Sequence, residues 1–390
     1  VSPAAVAVSL AAECVSLPLV AYYFYQVAPL STVMNLLVVP FFSLLVPLAL
    51  VALLIAGFLP ALGALVFFPV RMLILVIVAL MDIVNEFTGT LHVYIGQPSV
   101  WLLVFCYALL IGFCLIPLDA RRLCTLALAA VVLCLAVIIL RPAVSEDLRL
   151  SVVDVGQGTG CTYQTADGCW LVFDTGPGAD TVAQYLRYCG VNTIAALVLS
   201  HSDLDHIGGA AHILRDFNVE KLLASPYAQT SDEWQALVPY LGDTEVVSVN
   251  EPMAFRLGDA QLGCDLLAAS EDGGENCNQV VARLEDDGLS TLFTGDTAAE
   301  SLDEISWQQA TDLILVPHHG SKNSWDAAFY DTRQPALALI SAGRNNRYGH
   351  PHAETTDGLA ALNIPTLCTA DTGAVRIYAQ NGALYYKTGP

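Results

Sequence analysis

Up to Arg141, charge is almost absent: only Glu13, Asp82, Glu86 and Asp119 stand against Arg71, Arg121, Arg122 and Arg141. That absence excludes a set of soluble amphipathic helices, which would need polar faces to meet water. Positive charge is scarce in the rest. From Pro142 onward 33 acidic residues face 12 basic ones, so the whole net charge of −21 lies in the second part. Long-range steering of a nucleic acid by that part is therefore unfavourable, because domains that bind such polymers are usually basic. A lone short apolar run with a cleavage site is also missing, which excludes a simple signal peptide. No internal repeat or low-complexity tract appears after Pro142.

What the first part does contain is apolar runs, at about 4–27, 31–57, 61–84, 99–119 and 122–140. Each is near or above the roughly 20 residues that span a bilayer core. The expected organisation is an α-helical transmembrane bundle over 1–143 followed by an α/β domain over 144–390. The chain opens inside an apolar segment, so it is expected to be a piece of a longer membrane protein. Pro18, Pro40, Pro47 and Pro69 interrupt helices, which a membrane tolerates mainly against protein or a water-filled cavity. Arg71 either marks a pathway or snorkels beside a short re-entrant piece at 58–70. The Asp119–Arg122 turn is expected to be cytoplasmic by the positive-inside rule. A helix at 122–140 would then deliver the second part to the outside, although Arg141 and Arg149 weigh slightly against this.

The second part reads as many strands with a few helices. Strands are expected at 148–156, 159–165 and 169–176, the last two joined by the Ala166-Asp167-Gly168 turn. A helix at about 179–189 precedes the buried strand IAALVLS, and further strands follow at 219–224, 261–268, 279–285, 289–294, 312–316, 336–341, 366–370 and 374–378. The hairpin places Cys169 opposite Thr165, so a Cys161–Cys169 bridge is not expected. Cys277 is expected to serve packing. In the parallel part of such a sheet, sites form where strands end, and the polar motifs sit there.

The sharpest of them is LSHSDLDHIGG, residues 199–209. In an extended loop, side chains two apart point the same way, so His201 and Asp203 converge on one point while Asp205 and His206 diverge toward a second. Imidazole nitrogens and carboxylate oxygens are ligands of divalent metals. Gly208 and Gly209 are expected to allow a tight turn into the helix AAHILRDF. Of the eight histidines, six form clusters: His201 with His206, His318 with His319, and His350 with His352. Asp296 in LFTGD and Asp174 in VFDTG lie at further strand ends. A binuclear metal site is the best single account of this set.

These motifs carry a resemblance. HSDLDHIGG, TGD and HHGS resemble the metallo-β-lactamase fold, a four-layer αβ/βα sandwich of hydrolases. DVGQG (154–158), FDTG (173–176), VPHHGSKNS (316–324) and NNRYGHPH (345–352) resemble one branch of it, the C-terminal domain of the ComEC family, membrane channels of natural transformation. NLLVVPFFS (35–43) resembles that family's competence membrane domain. The resemblance implies that His201 and Asp203 hold one metal, Asp205 and His206 the other, with Asp296 bridging. Either His318 or His350 would complete the set. Asn278 stands where many relatives place another histidine, which suggests an open position or a substrate hydrogen bond. Asp174 is expected to orient a ligand from behind, with Asp154 a weaker candidate for such support because Thr159 replaces an acidic residue common after DVGQG. Asp203 replaces a histidine of the wider superfamily, and more oxygen favours manganese or magnesium relative to zinc.

The implied chemistry is two-metal hydrolysis of a phosphodiester, with two divalent ions, zinc or manganese, as cofactors and Asp205 orienting the attacking water. His319, if not a ligand, is a candidate general acid. Ser321 and Lys322 are candidates for a phosphate oxygen, Ser321 equally for a helix cap, and Arg344 and Arg347 are possible basic contacts. Expected partners are DNA, single-stranded or duplex, the lipid bilayer of the cell membrane and other competence proteins. The rival reading is a structural or silent metal domain on a channel, or a hydrolase of another phosphodiester. Ser231, remote from every motif, is expected to tolerate alanine with little loss.

Overall fold

A computed structural model describes residues 3–27, 31–88, 93–115, 147–267, 278–380 and 382–389. The chain divides into two compact units, residues 1–143 with 187–190, and 144–186 with 191–390. The expected boundary at 143/144 lies outside the described residues, as do the 122–140 run, the Asp119–Arg122 turn and Cys277.

The first unit is helical: Pro3–Phe24, Ser31–Phe58, Pro60–Thr88 and Val100–Leu115. Among the described residues two spans, Val38–Phe58 and Pro60–Ile83, are long and apolar enough to cross a membrane, each with a mean hydropathy of 2.7. Pro60 opens its helix at a position where a missing N–H costs nothing, and the helix then runs unbroken past Arg71. The re-entrant piece expected at 58–70 is therefore not formed. Arg71 is exposed. The groove lined by Leu44, Leu48, Phe68, Met72 and Val76 is wholly apolar.

The second unit stacks two mixed sheets. The first runs in the order Glu245–Ser248, Lys221–Ala224, Ala196–Val198, Trp170–Thr175, Gly160–Gln164, Leu148–Val152, Ala374–Gln380, Ala383–Gly389. The second runs Met253–Leu257, Ala260–Leu267, Gln279–Asp286, Leu289–Phe293, Leu313–Leu315, Leu337–Ile340, Thr366–Cys368. Strand alternation decides the layers. Leu313 and Leu315 enter the core between the sheets, where Phe173 and Phe293 stack at 3.6 Å. Ile314 and Val316 point the other way, onto Phe329, Tyr330 and Leu359 of the helices Ala327–Arg333 and Ala353–Ala361. On the far side, Tyr185 of the helix Thr181–Cys189 hydrogen-bonds Ser151 of the first sheet. Helix, sheet, sheet, helix: this is the metallo-β-lactamase four-layer sandwich.

The neighbours from Glu245–Ser248 to Trp170–Thr175, and from Leu289–Phe293 to Thr366–Cys368, are parallel. Their carboxyl ends therefore gather at one rim of the sandwich, where sites form. Thr165 donates its N–H to Cys169 O at 2.9 Å, and Cys161 and Cys169 are both free thiols. Three strands, Glu245–Ser248, Met253–Leu257 and Ala383–Gly389, escaped the sequence reading. Each is an outer or near-edge strand with several exposed residues, so the buried pattern that reveals a strand is missing.

Candidate metal centre

The HSDLDHIGG segment is not extended throughout. Asp203 O accepts the N–H groups of His206 at 2.9 Å and Ile207 at 3.0 Å, which winds Leu204–Ile207 into a helical turn. That turn carries His206 inward to full burial and leaves Leu204 exposed. Gly208 and Gly209 keep ordinary helical φ values of −57° and −82°. They are required for space rather than for φ: a Cβ on Gly208 would lie 2.4 Å from Gly178 N, and one on Gly209 2.4 Å from Thr175 O.

Three imidazoles are oriented by hydrogen bonds on their Nδ1 side. Ser200 donates its N–H to Asp174 Oδ1 at 2.8 Å and its hydroxyl to Asp174 Oδ2 at 2.7 Å. Because that hydroxyl proton is committed, His201 Nδ1–H donates to Ser200 Oγ at 2.9 Å. His206 Nδ1–H donates to Asp174 Oδ2 at 2.8 Å. His319 Nδ1–H donates to the Ser341 carbonyl at 2.9 Å. Each ring, once neutral, thus presents an Nε2 lone pair. All three Nε2 atoms, and Asp296 Oδ1, are buried without a hydrogen-bond partner. A buried acceptor left this way is costly unless something else fills it. Donor set and orphaned atoms together fit divalent metal binding.

The donors form two overlapping groups, His201 with His206 and Asp296, and Asp205 with His206 and His319. Within each group the ligand atoms lie within 4.8 Å of one another. Asp296 faces both: Oδ1 is 3.1 Å from His206 Nε2, and Oδ2 is 3.7 Å from His319 Nε2. Its backbone is fixed by Gln279, whose Oε1 accepts the Asp296 N–H at 2.7 Å. Asp205 Oδ2 lies 3.3 Å from His319 Nε2, and Asp203 Oδ2 lies 3.5 Å from His201 Nε2 at the solvent edge.

His318 and His319 take consecutive left-handed conformations, φ +51° and +54°. L residues adopt these at a cost of about 1–2 kcal/mol each. The strained turn decides which ring enters. His319 is the buried one, its Nε2 3.3 Å from Asp205 Oδ2 and 3.7 Å from Asp296 Oδ2. His318 is partly exposed, its Nε2 3.7 Å from Asp296 Oδ2. His350 neighbours both, with ring centroids 5.5 Å from His318 and 6.1 Å from His319.

In the metal-free protein the charges interlock. Burial pushes the His206 pKa down, but Asp296 and Asp174 outweigh it and hold the ring well above its usual 6.5. Burial pushes Asp296 up, and His206 and His319 outweigh that, holding it well below 3.8. Asp205 is lowered in the same way, burial being overcome by His319 and His206. His350 is driven down to about 4 by burial and by neighbouring imidazoles, which leaves it neutral at physiological pH.

Other expected residues fall into place differently. Asn278 directly precedes the strand Gln279–Asp286 at φ +72°, and its neighbour Gln279 bonds the Asp296 backbone. Asp154 is exposed and accepts the Gly156 N–H at 3.2 Å, so it shapes its own turn instead of supporting a ligand. The turn itself matters. Thr159 N–H donates to Asp205 O at 2.9 Å, and a Cβ on Gly158 would lie 2.4 Å from that same oxygen. Ser321 is buried and its Oγ accepts from the Asn323 N–H at 3.3 Å, a cap rather than a free phosphate contact. Lys322 is exposed, its N–H on His352 Nδ1 at 3.2 Å. Arg344 Nε donates to Ala370 O at 3.0 Å, and Arg347 lies over the Tyr348 ring. Sequence reasoning missed Ser200, Gln279, Ser341 and Asn346. Ser200 had a signal, since it directly precedes His201 at the end of a buried strand.

The Competence protein family matches residues 1–120, and the Metallo-beta-lactamase superfamily matches residues 157–344. ComE operon protein 3 of Bacillus subtilis is 28% identical over 96% of this chain and 51% of its own length. Competence protein ComA of Neisseria gonorrhoeae is 28% identical over 96% and 51%. The chain thus spans about half the length of these curated relatives. Among solved structures, the metallo-beta-lactamase fold protein YhfI from Bacillus subtilis covers 62% of this chain with 100% of its own, at 12% identity and a TM-score of 0.42. Apolar helices matched by one family precede a two-sheet sandwich matched by the other, and the chain belongs to the competence proteins that carry a metallo-beta-lactamase-superfamily domain.

Proposed function

We propose that this chain is part of a multi-pass DNA-uptake protein of the cell membrane, and that its second unit, from about residue 144, faces outside and hydrolyses phosphodiester bonds of the strand not imported. The observation that carries the reading is the convergence of four buried ligand atoms without a hydrogen-bond partner: Nε2 of His201, His206 and His319, and Asp296 Oδ1. One divalent cation, zinc or manganese, would be held by His201, His206 and Asp296 with Asp203 at its edge. A second would be held by Asp205, His319 and Asp296, with His318 and His350 adjacent. Such a pair supplies a nucleophile at neutral pH and stabilises the charge of the phosphoryl oxygens. Asp205, half-buried and fixed through its carbonyl by Thr159, orients the attacking water. Asp174 and Ser341 fix the imidazole rings from behind. Lys322, Arg344 and Arg347, all exposed on the loops around the centre, contact the strand.

The test uses the full chain in detergent, loaded with manganese or zinc. Two metal ions per chain are expected by elemental analysis, together with cleavage of single-stranded DNA. Asp205→Asn keeps the side-chain volume and should remove most of that cleavage; wild-type rates in this variant would defeat the mechanism. The net charge of −21 favours a second reading, a hydrolase of some other phosphodiester. Turnover of bis(p-nitrophenyl) phosphate without any cleavage of DNA would select it.

A further inference from the structure

Beside the centre, the loop after Leu337–Ile340 displays a half-exposed aromatic ring. Tyr348 is 49% exposed. Its ring stacks on the His350 imidazole at 5.7 Å and 24°, and the Arg347 guanidinium lies 4.7 Å from its centroid. The loop holds this ring in place through Asn346, whose Oδ1 accepts the N–H groups of Tyr348 at 3.1 Å and His350 at 3.0 Å. The amide of Asn346 donates in turn to Gly343 O at 2.9 Å and to the His350 carbonyl. A large ring is thus fixed outward, in water, one stacked residue away from His318 and His319.

We propose that Tyr348 is a stacking platform for an unpaired nucleobase of the strand whose phosphodiester lies at the centre, with Arg347 as its cationic neighbour. The proposal rests on the phosphodiesterase reading above and names its substrate class: a nucleic-acid strand with its bases exposed. Every base has a π-face, so the platform tolerates any sequence. A base paired and stacked within a duplex cannot offer that face. The platform also answers the problem posed by the acidic composition. A domain with 33 acidic and 12 basic residues after Pro142 cannot gather DNA by long-range attraction, whereas stacking needs no net positive charge.

The probe is a phosphorothioate oligothymidylate and its abasic counterpart, binding the full-length, manganese-loaded chain in detergent, read by fluorescence anisotropy. The wild type should bind the base-bearing strand about five- to hundredfold more tightly than the abasic one. The corresponding duplex should bind as weakly as the abasic strand. Tyr348→Leu should bring the ratio near one, while Tyr348→Phe preserves it and Tyr348→Trp raises it. Metal content and melting curves establish that Tyr348→Leu is folded; should it not fold, the Trp and Phe variants decide. A wild-type ratio of one, a full ratio in Tyr348→Leu, or an unchanged ratio in Tyr348→Trp overturns the proposal. A wild type that prefers bases yet cleaves no DNA supports the platform while removing the nuclease reading, so the two fail separately.

Discussion

The sandwich carries a buried polar cluster at each end of its strands, and the two are finished differently. At the amino-terminal end of Leu289–Phe293, Asp286 accepts from Ala166 N–H at 2.9 Å and from Tyr163 OH at 3.3 Å, and faces Arg149 Nε at 3.6 Å. At the carboxyl-terminal end, Asp296 and three imidazoles leave four buried ligand atoms without a hydrogen bond. Both clusters bridge the two sheets, and both place a carboxylate among partners of opposite character. In the first, both Asp286 oxygens accept hydrogen bonds, so that carboxylate belongs to the fold. The second stays open and awaits a ligand. The difference lies in satisfaction, not in burial or in residue type.

The largest expected effect separates the two. Asp286→Ala removes the carboxylate that faces the buried Arg149 guanidinium, and should destabilise the protein by about 3–5 kcal/mol. The loss should be the same with and without metal, as measured by denaturant unfolding in manganese and in EDTA. A cost under about 1 kcal/mol would show that this cluster is not closed.

Next in size is a change behind the open cluster. Asp174→Asn disturbs the hydrogen bonds of Ser200 and His206, and should weaken metal binding about 10–100-fold. Stability in EDTA should change much less. Competition with a chelator measures the affinity, and equal affinity in wild type and variant would break the comparison.

Smaller again is the pH dependence, where the carboxylates of the two ends differ in sign. His206 has a folded pKa above its unfolded value of about 6.5, so its stabilisation of the metal-free protein is complete below that pH and is lost as pH rises through the folded pKa. Asp296 is held below 3.8, so its contribution is present above that pH and lost as pH falls through the folded value. Asp286 is raised, because burial outweighs its Ala166, Arg149 and Tyr163 partners. Its contribution is full below 3.8 and lost as pH rises through its folded pKa. Metal must displace the His206 proton, so affinity should climb up to about tenfold per pH unit from pH 6.5 until His206 has titrated. Melting curves with and without metal should accordingly diverge on going from pH 6 toward alkaline values. A constant gap would mean that His206 carries no displaceable proton.

How far the sequence foretold this centre depended on the range of each contact. His201, Asp203, Asp205 and His206 lie within one short loop, so their nearness follows from spacing, whereas the grouping of His206 with His201 comes from the helical turn Leu204–Ile207. Asp296 and the His318–His319 pair sit at strand ends, and the parallel order of the strands delivers them to the same rim. The choice between His318 and His319 was not legible, because it turns on two left-handed residues that no composition requires. Nor was the role of Gln279 or Ser341. Each acts across the gap between elements, and a lone polar residue in a strand looks like any other. The position of Asp203 was also hidden for a local reason: the chain winds into a helix at Leu204, which leaves Asp203 Oδ2 3.5 Å from His201 Nε2 at the solvent edge.

The smallest effect belongs to a polar group far in sequence from both clusters. Ser231 was expected to be silent, but its Oγ accepts the Trp234 N–H at 3.1 Å and caps the helix Asp232–Leu237. Ser231→Ala should therefore cost about 1 kcal/mol, within the usual range for an N-cap. Trp234 and Leu237 are buried, so packing retains the helix and the loss stays that small. Like Asp286, Ser231 is a satisfied group, and its cost should be indifferent to metal. Hydrolysis per folded molecule should match the wild type at temperatures well below melting. A Ser231→Ala variant whose metal affinity falls along with its stability would show that satisfaction does not separate structural from ligand-binding polar groups in this sandwich, and the contrast between its two ends would lose its meaning.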